Sequence, residues 1–328
     1  MPRDHFDHDD DHDHGHGHGH AHGGGHGGHH HHHAPATAGA MNLTFGVGVA
    51  LNVLFVAAEL AAGLWASSLA LLADAGHNLS DVLALVLAWG AAALARRAPA
   101  GQRTYGLRKG TVLASLANAV LLLVAVGAIA AESVHRLAAP GSVQTNVVMF
   151  TAGLGVVLNT ATAALFFRGS HGDLNVRGAF LHMAGDAAVS LAVVIGAFVM
   201  ARTGLRWIDP ALGLVIGAVI VGGSWALLRE SFDLALDAAP KGIDVAAVSD
   251  WLGAQPGVHE VHDLHIWAMS TTETALTAHL VRPANGDADV FLHAVCDGLA
   301  RRFGIGHATV QVETDPQHAC RLAPPEVV

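Results

Sequence analysis

LLADAGHNLSDVLALV, residues 71–86, is an apolar run of helical length that holds Asp74, His77, Asn78 and Asp81. Ionisable side chains inside such a run cost roughly 2.5–3.5 kcal/mol each on insertion scales, so each needs a reason to be there. His77 and Asp81 are four residues apart and project from one face on successive helical turns. GAFLHMAGDAAVSL, residues 178–191, repeats the spacing with His182 and Asp186. Two helices that each offer one imidazole and one carboxylate can form a four-ligand tetrahedral site, a number and mixture that suit Zn²⁺. Two ionised carboxylates also neutralise a divalent cation, which lowers the cost of holding it away from water. Helix-to-helix hydrogen bonding accounts for one such pair, but two identical pairs favour the metal reading.

The surrounding composition points to a bilayer. Hydrophobic residues make up 52% of the chain and charged residues only 13%, against about a quarter charged in an ordinary soluble domain. Six apolar spans are expected near 43–65, 69–95, 111–131, 145–168, 174–202 and 208–228. About 20 apolar residues at 1.5 Å each cross a hydrocarbon core of roughly 30 Å. The connection RRAPAGQRTYGLRKG (96–110) carries five basic residues, and the connection at 168–177 adds Arg168 and Arg177. The opposite connections hold only Arg136, Arg202 and Arg206. The positive-inside rule then makes the even-numbered connections cytoplasmic and puts both termini in the cytoplasm. The location this implies is a plasma membrane, in a bacterium the inner one. The acidic start, MPRDHFDHDDD, has no basic and apolar signal pattern, so the first span is expected to act as its own insertion signal.

Residues 1–40 are low-complexity, with His interspersed among Asp and Gly and five consecutive histidines at 29–33. Such a segment cannot bury a core and is expected to be disordered, serving as a weak collector of metal. After Pro240 the pattern becomes that of a small soluble domain. Residues 243–254 and 288–304 read as helices, and 258–269, 274–281 and 308–313 as strands, in the order αββαβ. The expected fold is an α-helical membrane protein with six transmembrane helices at 41–231, a cytoplasmic α+β domain at 240–316 and a tail at 317–328. Two cysteines, Cys296 and Cys320, do not make a disulfide framework. No basic stripe or nucleic-acid motif is present, so no nucleic-acid partner is expected. A site filled by protein ligands has no open position to activate water, and no His-Glu-x-x-His occurs, so the chain is not read as an enzyme.

DAGHNLSD (74–81), HMAGD (182–186), TYGLRKGTVLASLAN (104–118), WIDP (207–210), HDLHIW (262–267) and HATVQVE (307–313) together make the sequence resemble the cation diffusion facilitator family over residues 41–316. The resemblance implies a homodimeric metal/proton antiporter embedded in membrane lipid, with six helices per protomer and a metallochaperone-like αββαβ domain. It implies His77, Asp81, His182 and Asp186 as the transport site, a quartet that the family associates with zinc. It further implies a cytoplasmic zinc site at His262, His279 and Glu313. Asp315, His318 and Cys320 are candidates to complete that site or to form a second. Some family members place ligands between spans two and three; residues 96–110 here hold no His, Asp or Glu. Zinc is the expected cargo and regulatory ligand. Co²⁺, Cd²⁺, Ni²⁺ or Fe²⁺ as cargo stays open, as does a membrane-anchored metal sensor.

Overall fold

A computed structural model describes residues 43–167, 174–283, 286–314, 320 and 322. The His-rich tail at 1–40 and the candidates Asp315 and His318 lie outside these residues. Six helices come first: α1 (Leu43–Ala66), α2 (Leu69–Ala95), α3 (Gly110–Ala138), α4 (Thr145–Phe167), α5 (Leu174–Thr203) and α6 (Ile208–Ala235). All but α1 contain a described stretch long and apolar enough to cross a membrane, five helices in all. In α1 the described apolar stretch is shorter, Asn52–Ala66.

The helices contact one another through small residues. Ala66, Ala70, Ala73, Ala152 and Ala197 are buried in one cluster with Leu71, Val126, Val148, Val193 and Ile216. Apolar lipid tails offer no hydrophobic drive between helices, so close backbone approach supplies the contact energy. Gly213 of α6 shows the need: a Cβ there would lie 3.0 Å from Ser133 Oγ and 3.3 Å from the Leu69 backbone. Large apolar residues point the other way, with Trp65, Phe150 and Leu165 at 70%, 77% and 81% exposure. On a soluble surface such a density would drive association; facing lipid tails it meets an apolar solvent.

The start of α2 is fixed by a remote carboxylate. Ser68 caps the helix by accepting from the Leu71 N–H at 3.2 Å, and its hydroxyl donates to Asp209 Oδ1 at 2.5 Å. Asp209, in the first turn of α6, also accepts from the Leu69 N–H at 2.7 Å. Free N–H groups at a helix start carry partial positive charge, so an anion there is stabilising. α3 runs past the expected end of its span at residue 131 and reaches Ala138. The extra turns stay helical because Glu132 accepts from Arg136 Nε at 2.7 Å across one turn, while Arg136 Nη1 donates to the Ser67 carbonyl at 2.7 Å.

The C-terminal region forms α7 (Val245–Gly253), β1 (Glu260–Ala268), β2 (Thr274–Val281), α8 (Ala288–Phe303) and β3 (Ile305–Glu313). The sheet order is β1-β2-β3, with β1 and β2 antiparallel and β2 and β3 parallel. Val248 and Leu252 of α7 share a core with Phe291, Val295 and Leu299 of α8 and with Leu276, Ala278 and Leu280 of β2. Side chains alternate across a strand, so His279, between Ala278 and Leu280, lies on the sheet face away from these helices. β3 begins three residues earlier than its sequence pattern suggests. Gly304 ends α8 at φ 69°, a left-handed conformation that suits glycine, and the chain enters the sheet directly.

The 96–110 connection meets this region. Lys109 Nζ donates to the Ala268 carbonyl at 3.1 Å, Arg108 Nη1 lies 3.2 Å from Glu273 Oε2, and the Thr271 N–H donates to Thr111 Oγ1 at 3.0 Å.

Asp209→Ala leaves the Ser68 hydroxyl and the Leu69 N–H buried without their acceptor. The expected loss is about 2 kcal/mol of stability, the scale of a hydrogen bond to a charged group. It is checked by thermal melting of the detergent-solubilised chain, where Asp209→Asn should lose less. An unchanged melting temperature in Asp209→Ala would refute the role of this cap.

Candidate metal sites in the membrane and in the C-terminal domain

α2 and α5 bring the two His-x-x-x-Asp pairs face to face. His77 Nε2 lies 3.8 Å from Asp81 Oδ2 on its own helix and 3.4 Å from Asp186 Oδ1 on the other. His182 Nε2 lies 3.2 Å from Asp81 Oδ2 and 3.7 Å from Asp186 Oδ2. Each imidazole therefore faces both carboxylates, and the rings meet edge to face with centroids 5.9 Å apart. Ligands held about 2 Å from a tetrahedral zinc ion lie about 3.3 Å from one another. The four nitrogen–oxygen separations lie near that value, and ligand atoms of His77, Asp81 and His182 all come within 4.8 Å of one another, while Asp186 presents a different oxygen to each ring. With Nε2 of both rings turned to the common centre, the metal-binding tautomer carries its proton on Nδ1. Asp186 is buried, while the Asp81 side chain is 37% exposed, so the cluster is open on the Asp81 side.

Around this quartet lies a layer that the sequence reading only partly marked. Asp74 and Asn78 stand on α2 with His77 and Asp81; Glu59 stands on α1 within FVAAELAAG. All three are buried. Asn78 Nδ2 donates to Glu59 Oε2 at 3.0 Å, and the Ser190 hydroxyl of α5 donates to Asp74 Oδ2 at 2.8 Å. A single Glu has no periodic partner to betray it, so its charge in an apolar run was the one signal available.

The second cluster spans the open face of the small sheet. His262 of β1 stands opposite His279 of β2 in the strand register, and their ring centroids are 5.3 Å apart. Glu313 ends β3, next to β2. Its Oε1 lies 2.9 Å from His279 Nδ1 and 3.4 Å from His262 Nε2. Cys320 Sγ comes within 3.4 Å of His279 Nδ1. Ligand atoms of His262, His279, Glu313 and Cys320 all lie within 4.8 Å of one another. Both ring nitrogens of His262 are buried without a hydrogen-bond partner among the described residues. A metal ion would satisfy one of them, and a set of two imidazoles, a carboxylate and a thiolate suits zinc. Burial pushes the Glu313 carboxyl up, but hydrogen bonds with Cys320 and His279 and the charges of His262 and His279 outweigh it. The carboxyl is held below its usual range.

Asp263 is the member of this cluster that the sequence did not single out. It sits at a β-bulge between His262 and His265 with φ 51°. The bulge turns its carboxylate to His265 Nε2 at 2.8 Å and to His279 Nε2 at 3.6 Å. Of the other histidines in the domain, His307 stacks edge-on against Tyr105 with centroids 5.7 Å apart.

Comparison with known proteins matches these two regions separately. The cation efflux transmembrane domain matches residues 46–234, and the cytoplasmic domain of cation efflux proteins matches residues 240–315. The chain is 35% identical to the metal cation efflux system protein CzcD of Cupriavidus metallidurans over 272 residues, 82% of this chain and 86% of that protein. It is 33% identical to the zinc transporter ZitB of Escherichia coli over 287 residues, 86% of this chain and 91% of that protein. It is 31% identical to the zinc transporter ttm-1 of Caenorhabditis elegans over 283 residues, 80% of this chain and 69% of that protein. Family matches to both regions and relatives that span most of the chain lead to one conclusion: this multi-pass membrane protein belongs to the cation diffusion facilitator family of cation efflux transporters.

Proposed function

We propose that the protein exports Zn²⁺ in exchange for protons, using His77, Asp81, His182 and Asp186 as the transport site. The observation that carries this reading is the crossed geometry of the quartet: each imidazole lies within 3.8 Å of both carboxylates, and ligand atoms of His77, Asp81 and His182 all come within 4.8 Å of one another. The zinc transporters among the relatives support the choice of metal. In this reading α1 completes six spans within residues 41–231, both termini are cytoplasmic, and the protein works as a homodimer in a bacterial inner membrane.

Metal and protons compete for the same side chains, because imidazole and carboxylate bind metal only when deprotonated. Zinc entering from the cytoplasm displaces protons from His77 and His182, which titrate nearest neutral pH. Exposure of the site to a more acidic outer face returns protons to the imidazoles and ejects the metal. The helices rock between these two exposures in alternating access. Four exchangeable ligands with two negative charges hold the ion without the strong grip of thiolates.

The domain at 240–316 acts as a zinc-sensing regulator through His262, His279 and Glu313, with Cys320 completing the set. Binding there links β1, β2 and β3 and therefore stabilises the fold that holds them. The contacts of Arg108, Lys109 and Thr111 with this domain carry its state to the start of α3. Residues 1–40 serve as a weak collector of metal.

Asp186→Ala removes a charged ligand from a four-ligand site. Zinc uptake into proteoliposomes under an imposed pH gradient should fall to background, while insertion and dimer formation stay normal. Undiminished uptake by a well-inserted Asp186→Ala protein would sink the transport assignment.

In that same Asp186→Ala background, adding zinc should still raise the thermal stability of the chain through the cytoplasmic site. A further change of His262→Ala with His279→Ala should remove most of the rise. If the rise survives both substitutions, the regulatory zinc binds elsewhere.

Glu313 gives a third check by acid titration without metal. Its carboxyl is held below the usual range in the folded chain, so its contribution is present above the ordinary carboxylate pKa. That contribution is lost as pH falls through the lowered value. Glu313→Gln should flatten this acid limb, followed by the fluorescence of Trp251 and Trp267. An acid limb identical in the two proteins would contradict the electrostatic role of Glu313.

A further inference from the structure

Glu59 and Asp74 stand out from every other acidic group in the membrane helices. Both side chains belong to residues at 0% exposure, and each keeps one oxygen, Glu59 Oε1 and Asp74 Oδ1, without a hydrogen-bond partner among the described residues. Their other oxygens are satisfied, by Asn78 and by Ser190. Asp74 and Asn78 stand four residues apart on one face of α2, so the bond from Asn78 brings the Glu59 carboxyl beside Asp74. Two adjacent carboxylates in a medium of low dielectric cannot both be ionised, and a single proton between them removes the repulsion and joins the two groups. Among the described residues no lysine or arginine acts on them. The charged groups acting on the pair are His77 on α2 and Asp186 on α5, both of them members of the quartet. α4, which packs on α1 and α5, carries no ionisable residue. α3 and α6 place their ionisable side chains towards their ends, and none of these acts on the pair.

We propose that Glu59 and Asp74 share one proton while the quartet is free of metal and release it when zinc binds, forming a second proton site beside the histidines. The proposal rests on the antiport reading and adds to it a carrier of charge outside the metal's own ligands. Zinc arriving at the quartet places two positive charges next to the pair. The shared O–H bond then breaks heterolytically, its electron pair stays on the carboxylate oxygen, and the proton leaves to water. The additional negative charge stabilises the bound ion. When the site meets the acidic face, the same oxygen takes a proton back and the attraction for the metal weakens. Glu59 acts here through the field it exerts on the quartet and not as a metal ligand.

The test uses the full chain. Infrared spectroscopy of the metal-free protein at neutral pH should show the carbonyl stretch of a protonated carboxylic acid. This band should disappear on adding zinc and be missing in Glu59→Gln, whose amide can donate to Asp74 and still accept from Asn78. Asp74→Asn, which keeps an acceptor for Ser190, should lose the band too. Glu59→Gln should bind zinc about tenfold more weakly at neutral pH, because the additional negative charge is missing, and release about one proton fewer per ion. In proteoliposomes under a gradient of about one pH unit, its steady-state zinc accumulation should fall about tenfold, because one coupled proton per pH unit is worth a factor of ten. The proposal is overturned if Glu59→Gln releases as many protons as the unmodified chain. It is equally overturned if Glu59→Gln loses zinc binding altogether, which would make Glu59 a ligand or a strut. Absence of the acid band from the unmodified protein also rejects it, whatever the variants do. Failure of the antiport reading looks different: the unmodified protein would show no proton-driven accumulation while the zinc-sensitive band remained.

Discussion

Charge buried among apolar helices governs this molecule. A carboxylate removed from water must find a cation, a proton or a set of donors, and the buried carboxylates of the membrane region differ in the partners they find. Asp209 takes donors, from the Ser68 hydroxyl and the free N–H groups that open α2. Asp81 and Asp186 face the imidazoles of His77 and His182. Glu59 and Asp74 are bonded to Asn78 and Ser190 and each keep one oxygen unpartnered among the described residues. The arrangements are linked along one helix. Asp209 fixes where α2 begins, and α2 then carries Asp74, His77, Asn78 and Asp81 over its next three turns.

Such a cluster needs helices that come close together, and the small residues supply that closeness. Alanines fill the shared core, and Gly213 lets α6 pass against the backbone of α2. The large side chains that would keep the helices apart are on the outside. An arrangement built this way favours charge where two backbones approach and apolar bulk where lipid does, the inverse of a soluble bundle. A divalent cation is the natural guest of the quartet because two carboxylates and two neutral imidazoles leave a net charge of its own opposite. The same accounting makes metal and protons competitors, which is what an exchange mechanism requires.

The small domain solves a different problem. Its helices cover one face of the sheet and leave the other for His262, His279 and Glu313, which come from three strands. The middle strand β2 brings the outer two within reach of one another, so a ligand held there ties the whole sheet. The bulge at Asp263 adds a carboxylate that an unbroken strand would send to the opposite face.

The apolar spans, the αββαβ order and the two His-x-x-x-Asp pairs are legible in the sequence because each depends on a local period, of 3.6 residues in a helix or two in a strand. His77 and Asp81 must share a helix face whatever surrounds them, and so must His182 and Asp186. The partners of Glu59, Asp74 and Asp209 depend on contacts 19 to 141 residues away along the chain, such as that between Asp209 and Ser68. No period encodes a meeting of that kind, and only helix packing decides it. Asp263 belongs with them: its usefulness comes from one left-handed residue that breaks the strand's alternation. The sequence by itself determined the two His-x-x-x-Asp pairs and the helix face that each pair shares. The tertiary structure decided which of them meet, because the cost of burying charge is settled between elements and not within one.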